Sequence, residues 1–189
     1  MRKIIVPIGL DCGIASVLKK YNLRNFSLPF DWTVTYNGVS DIIKDNFKNF
    51  LPRGSEKHNV LSNTSFIHEV FPNDYAKMNR RIRRFMDLFN SDDEIIFFRR
   101  GHGVNHHQES EERSFKLKND LEDCEDLYEW IKDNYPNLNF RIIVLLVCNK
   151  CFEPYKEYQS DNVEIYNISD IKDSVDGDER LDSIIKQLI

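Results

Sequence analysis

Residues 5–16 read IVPIGLDCGIAS, from Ile5 to Ser16, and the reading of this stretch decides the fold class. The apolar run Lys3–Ile8 has the β-branched, doubly apolar look of a strand buried on both faces. Gly9 stops it. Ile14, Val17, Leu18 and Tyr21 then recur at i, i+3, i+4 and i+7, one face of a helix, with Asp11 available as its N-cap. A buried strand turning through glycine into a helix is the first half of a βα unit.

Outward from that unit the pattern repeats. Glu94–Arg99 (EIIFFR), Phe140–Val147 (FRIIVLLV) and Val163–Ile168 (VEIYNI) are further buried-strand runs. Apolar helical faces lie among them: Val39, Ile42, Ile43 and Phe47; Tyr75, Met78, Ile82, Phe85 and Phe89; Leu117, Leu121, Cys124, Tyr128, Ile131 and Tyr135; and Leu181, Ile184, Ile185 and Leu188. Strands alternating with helices predict an α/β chain, a single three-layer domain over 1–189 with a mainly parallel sheet of about four or five strands. Residues 22–72 break the alternation. They are expected to form a lid or side-layer insertion, with a short strand at Phe66–Val70.

The composition sets outer bounds. With 41% hydrophobic and 12% aromatic residues, the 189-residue chain can bury a real core. A net charge of −5 supplies no global basic field, so neither a nucleic-acid nor a membrane partner is expected. The four cysteines, 12, 124, 148 and 151, do not resemble the framework of a secreted disulfide scaffold. The N-terminal apolar run is too short for a signal peptide, and no run approaches the length of a membrane span. A soluble protein of a reducing cytoplasm is expected.

In an open parallel sheet, ligands collect outside the carboxyl ends of the strands. That rule gathers Gly9-Leu-Asp-Cys-Gly13, Arg99-Arg-Gly-His-Gly103 with His106 and His107, Cys148-Asn-Lys-Cys151, and Ser169-Asp170 at one rim. Cys12 has the strongest chemical case there. N–H groups of a helix start stabilise a thiolate, and those beside Gly13 could also hold the oxyanion formed when a thiolate attacks a carbonyl. The alternative is a small residue buried in a tight turn. A thiol hydrolase needs a base, for which His68 and His102 are the candidates. His106 and His107 read as solvated loop residues, and the histidines find no acidic or sulfur partner at a metal-site spacing, so no metal or cofactor is expected.

Arg80 and Arg84 read as a solvated helix face, whereas Arg81 borders the apolar stripe and can aim at a carboxylate. Arg99 ends a buried strand, which suits an inward charge with a partner or a ligand. The lone pair Cys148 and Cys151 is half a zinc site, and Cys124 lies on a core stripe. Other chemistries are excluded by pattern. The 9–13 turn lacks the Gly-Lys-Ser/Thr ending of a P-loop, and Leu18 stands where a C-x5-R phosphatase needs arginine. The serine-hydrolase pattern GxSxG is also absent.

Taken in order, IGLDCGIASVL (8–18), LPFDW (28–32), FIHEV (66–70), RRIRRF (80–85) and IIFFRR (95–100) resemble a family of uncharacterised bacterial and viral proteins described as papain-like cysteine peptidases. The resemblance runs over roughly residues 4–150. It implies a nucleophile at Cys12 and a histidine partner at His68, in the papain-like order of cysteine before histidine. Asp31, Arg80, Arg81, Arg84 and Arg99 fall on its motif positions without assigned roles, and a structural part stays open for Asp31 and Trp32. It also implies an alternative architecture, papain-like α+β.

Three readings follow. The first is a thiol-dependent hydrolase or acyltransferase acting on a small-molecule or peptide substrate. Cys12 attacks, His68 or His102 carries the proton, and Arg81 or Arg99, with Asp31 and Gly13, contacts an anionic substrate. The second is a non-catalytic module that binds a phosphorylated or carboxylated ligand at the Cys12 helix start and the arginines. The third is a structural protein in which Cys12 is only buried.

Overall fold

The computed structural model describes residues 2–36, 38–101, 120–147, 160–168 and 174–188. In chain order the elements are β1 (Lys3–Pro7), α1 (Gly13–Lys20), β2 (Val34–Thr35), α2 (Ser40–Lys44), β3 (His58–Asn59), β4 (Thr64–Ser65) and α3 (Tyr75–Asp87). A 3-10 turn over Leu88–Asn90 leads to β5 (Glu94–Gly101), α4 (Asp120–Asn134), β6 (Phe140–Val147), β7 (Glu164–Ile168) and α5 (Ser174–Leu188).

The main sheet has four strands in the order β1-β5-β6-β7, and every pairing is parallel. Ile5 lies opposite Ile96, Phe97 opposite Ile142, and Leu145 opposite Tyr166. The architecture is α/β. Its parallel sheet differs from the antiparallel barrel of the papain-like alternative.

Side chains of a strand alternate between faces, and here both faces are apolar. Ile4, Val6, Ile95, Phe97, Ile142 and Val144 join a core with Ile42 and Ile43 of α2, Met78 and Phe85 of α3, and Leu121, Leu127 and Ile131 of α4. Ile5, Ile96, Phe98, Ile143 and Leu145 join a second core with Ile14, Val17 and Leu18 of α1 and Leu181, Ile184 and Ile185 of α5. Helices therefore cover the sheet on both sides. Among the described residues, no helix is long and apolar enough to cross a membrane.

The excursion over 22–72 forms a three-stranded antiparallel sheet, β2-β4-β3, and buries Leu28, Phe30, Phe47, Phe50, Phe66 and Phe71 in the first core. Phe30 meets Phe47, Phe50 and Phe85 at ring-centroid distances of 5.4, 5.4 and 5.5 Å, close enough for aromatic contacts worth about 0.5–1.5 kcal/mol each. The strand expected at Phe66–Val70 is not there. Strand β4 is Thr64–Ser65, and the Phe66 N–H makes a bond to Lys57 O at 2.7 Å just beyond it. Beyond it the alternation fails, because Ile67 and His68 are both exposed and Glu69 is buried. Glu69 turns inward for an ion pair, which the pattern FIHEV disguised as half of a period-two strand.

Candidate functional site

The turn after β1 is pinned from two sides. Leu10 N–H donates to Arg100 O (2.7 Å), Arg100 N–H to Gly9 O (3.1 Å), and Thr35 N–H to Leu10 O (2.9 Å). Gly9 has φ +83°, and a Cβ there would run into Thr35 Oγ1 and the Arg99 guanidinium, so only glycine fits.

Cys12, not Asp11, is the N-cap of α1, and its side chain makes no capping hydrogen bond. Asp11 still tends the helix start, since its Oδ1 accepts from Gly13 N–H at 2.8 Å. The first intrahelical bond runs from Ser16 N–H to Cys12 O (2.9 Å). The N–H groups of Ile14 and Ala15 are thus the remaining orphan donors of this helix start. Cys12 is half-buried and free. Cys124, by contrast, is a packing residue of α4, where burial pushes its thiol well above the ordinary range.

Arg99 and Arg100 leave β5 on opposite faces. Arg99 is fully buried. Its Nε donates to Asp120 Oδ1 (2.7 Å), its Nη1 to Ile8 O (2.8 Å) and Thr35 Oγ1 (2.7 Å), and its Nη2 to Thr35 O (3.1 Å), while Nη2 also lies 2.6 Å from Asp120 Oδ1 in the ion pair. Four guanidinium hydrogen bonds and the ion pair let Arg99 clamp three segments together. Arg100 instead lies against α1. Its Nη1 is 3.3 and 3.5 Å from the Asp11 carboxylate oxygens, and a Cβ on Gly13 would lie 2.5 Å from the same nitrogen.

A second polar group gathers LPFDW, FIHEV and RRIRRF. His68 is exposed, with its ring edge-to-face against Trp32 at 5.7 Å. The Arg24 guanidinium sits 5.4 Å from the Trp32 ring centroid, within cation–π range. Arg24 also pairs with Asp31, whose Oδ2 accepts Arg24 Nε and Leu28 N–H, both at 3.0 Å. Burial holds the Asp31 carboxyl above the usual aspartate value, against the opposing pull of Leu28 N–H and Arg24. Arg81 Nη1 donates to buried Glu69 Oε1 at 2.9 Å. Arg80 and Arg84 are exposed.

The structure therefore separates the expected site residues: Cys12 and Gly13 lie at the helix start, Arg99 is buried with Asp120, Thr35 and Ile8 O on the other face of the strand, and Asp31, His68 and Arg81 gather around Trp32 and Glu69. Among the described residues, no hydrogen bond or ring contact joins Cys12 to His68. His102, like His106, His107, Cys148 and Cys151, lies outside the described residues. Sequence reasoning passed over Arg100 and the Trp32–His68 contact. The strand period was the available signal for Arg100, because residues 99 and 100 must face opposite layers. No group of three or more metal-ligating side chains occurs among the described residues. A cavity of about 670 Å³ lies at the opposite end of the sheet from Cys12, lined by Tyr128, Phe140, Arg141, Val163 and Glu164 among others.

Comparison with known proteins adds two likenesses. Residues 3–70 match a family model whose description is "Putative papain-like cysteine peptidase". An uncharacterized protein of Acanthamoeba polyphaga mimivirus is 28% identical, in an alignment covering 79% of this chain and 80% of the viral protein. No solved structure matches.

Proposed function

We propose that the chain is a thiol-dependent hydrolase or acyltransferase of the cysteine-peptidase kind, with Cys12 as nucleophile and His68 or His102 as base. The observation that carries this reading is the position of Cys12: a half-buried free thiol at the first turn of α1, beyond the carboxyl end of β1. The family match supports it, since the matched residues 3–70 contain both Cys12 and His68.

The chemistry needs no metal or cofactor. The histidine takes the thiol proton, and the sulfur forms a bond to the carbonyl carbon of an amide, ester or thioester. The carbonyl electron pair moves onto oxygen, at the positive end of the α1 dipole. Collapse expels the leaving group with the proton from the histidine. Water or another acceptor then attacks the thioester and regenerates Cys12. The substrate is a small molecule or peptide, neither nucleic acid nor membrane is a partner, and a reducing compartment such as the cytoplasm keeps the thiol available.

The test is alkylation of the native protein by iodoacetamide between about pH 5 and about pH 9, read at each cysteine by peptide mass spectrometry. Cys12 is expected to react at acidic pH where an ordinary thiol does not, and one of His68→Ala or His102→Ala to remove that advantage. A Cys12 that reacts only on unfolding ends the nucleophile reading. The non-catalytic alternative draws on the missing hydrogen bond between Cys12 and His68, and it predicts that an anionic ligand still binds after Cys12→Ala.

A further inference from the structure

We infer that Arg100 is the substrate-recognition residue of the Cys12 site and selects substrates with a carboxylate close to the bond under attack. The inference rests on the nucleophile reading and adds to it a residue and a substrate class.

Two adjacent arginines reach the same turn, and their donors tell them apart. Arg99 is fully buried and held by Asp120, Thr35 and Ile8 O, out of reach of a ligand. Among the described residues Arg100 pairs with Asp11 alone, through Nη1 and at 3.3–3.5 Å, longer than a charge-assisted bond prefers. Its Nε is buried without an acceptor, and no acceptor is recorded for Nη2 among the described residues. The side chain remains 29% exposed. A cation with spare donors, held loosely by one carboxylate, is suited to receive another.

Its placement is what makes this a recognition site. The Arg100 guanidinium touches the residues on both sides of Cys12, pairing with Asp11 and closing over Gly13, where a Cβ would lie 2.5 Å from Nη1. Glycine at position 13 lets the cation approach the helix start. A carboxylate bound there lies at the turn that carries Cys12, between Asp11 and Gly13. Planar guanidinium and planar carboxylate match in shape, so the arginine fork orients the substrate as well as attracting it.

The experiment compares two alkylating reagents that differ in charge, neutral iodoacetamide and anionic iodoacetate, on the full chain at one pH. Site-resolved mass spectrometry gives the rate at Cys12, and a simple peptide thiol is the reference. The ratio of the iodoacetate rate to the iodoacetamide rate is expected to exceed the peptide's by about tenfold, a factor equivalent to about 1.4 kcal/mol. Arg100→Gln should return it to the peptide's value while the iodoacetamide rate changes far less, and Arg100→Lys should keep part of the preference. Asp11→Asn, which removes the competing carboxylate but retains an acceptor for Gly13 N–H, should raise the ratio. A ratio equal to the peptide's in the wild type, or unmoved by Arg100→Gln and Asp11→Asn, overturns the inference while leaving a reactive Cys12 intact. A Cys12 inert to both reagents in the folded protein overturns the inference together with the nucleophile reading.

Discussion

A single residue step at the end of β5 separates two kinds of arginine. Arg99 was legible in the sequence as an inward charge needing a partner, because it ends a run of buried apolar residues. Its partner was not legible, since Asp120 lies 21 residues away and the two meet only when α4 packs on the sheet. Removing one side of a buried ion pair takes from the other its opposite charge in a poor solvent for charge. Arg99→Met should therefore cost about 3–5 kcal/mol, read as a lower urea midpoint with an unchanged slope. The same turn makes a second demand at Gly9. With φ +83° and Thr35 and Arg99 filling the space a Cβ needs, Gly9→Ala should destabilise by about 1–3 kcal/mol in the same measurement. A neutral Gly9→Ala would show that the turn relaxes freely and that Arg99 does not fix it.

At the scale of elements, the apolar periodicities of α1, α3 and α4 were readable because each helix buries one stripe. The 22–72 segment was less readable because buried charge, not apolar pattern, directs much of it. Asp123 of α4 shows this: its carboxylate accepts Val39 N–H (2.8 Å), Ser40 N–H (3.0 Å) and Ser40 Oγ–H (2.6 Å) at the start of α2. A five-residue helix has little stability of its own, so this remote cap fixes where it begins. Asp123→Ala should strip protection from the Val39 and Ser40 amides in hydrogen exchange and cost about 2–4 kcal/mol. Amides that stay protected would remove Asp123 from that role. Asp31 adds a pH dependence of uncommon sign. Because burial raises its folded-state pKa, the native chain holds a proton that the unfolded chain has released above about pH 3.9. Its contribution is full below that value and is lost as pH rises through the folded one. The stability difference between wild type and Asp31→Asn should shrink as pH rises from about 4 to about 7, and growth instead would refute the assignment. Asp123, also raised by burial, slopes the same way and cancels in this difference.

For the whole molecule, the parallel sheet was legible because four runs shared one composition, and a parallel sheet brings its carboxyl ends to one rim by geometry. The convergence of Asp31, His68 and Arg81 was not, since it depends on Glu69 turning inward and on Trp32 meeting the imidazole. The two proposed catalytic residues sit apart from both cores: Cys12 is half-buried and His68 exposed, whereas Ile8, Phe30 and Phe97 are fully buried. Stability and the proposed chemistry should therefore separate. Substituting an exposed side chain away from buried networks changes stability by about 0.5 kcal/mol or less. His68→Gln can keep an edge contact with Trp32 but cannot act as a base. It should leave the urea midpoint nearly unchanged while slowing iodoacetamide labelling of Cys12 at about pH 6 by tenfold or more. If stability falls along with labelling, His68 is part of the scaffold through Trp32. If neither moves and His102→Gln slows labelling instead, the base is His102 and the Trp32–His68 contact belongs to the packing of the side sheet.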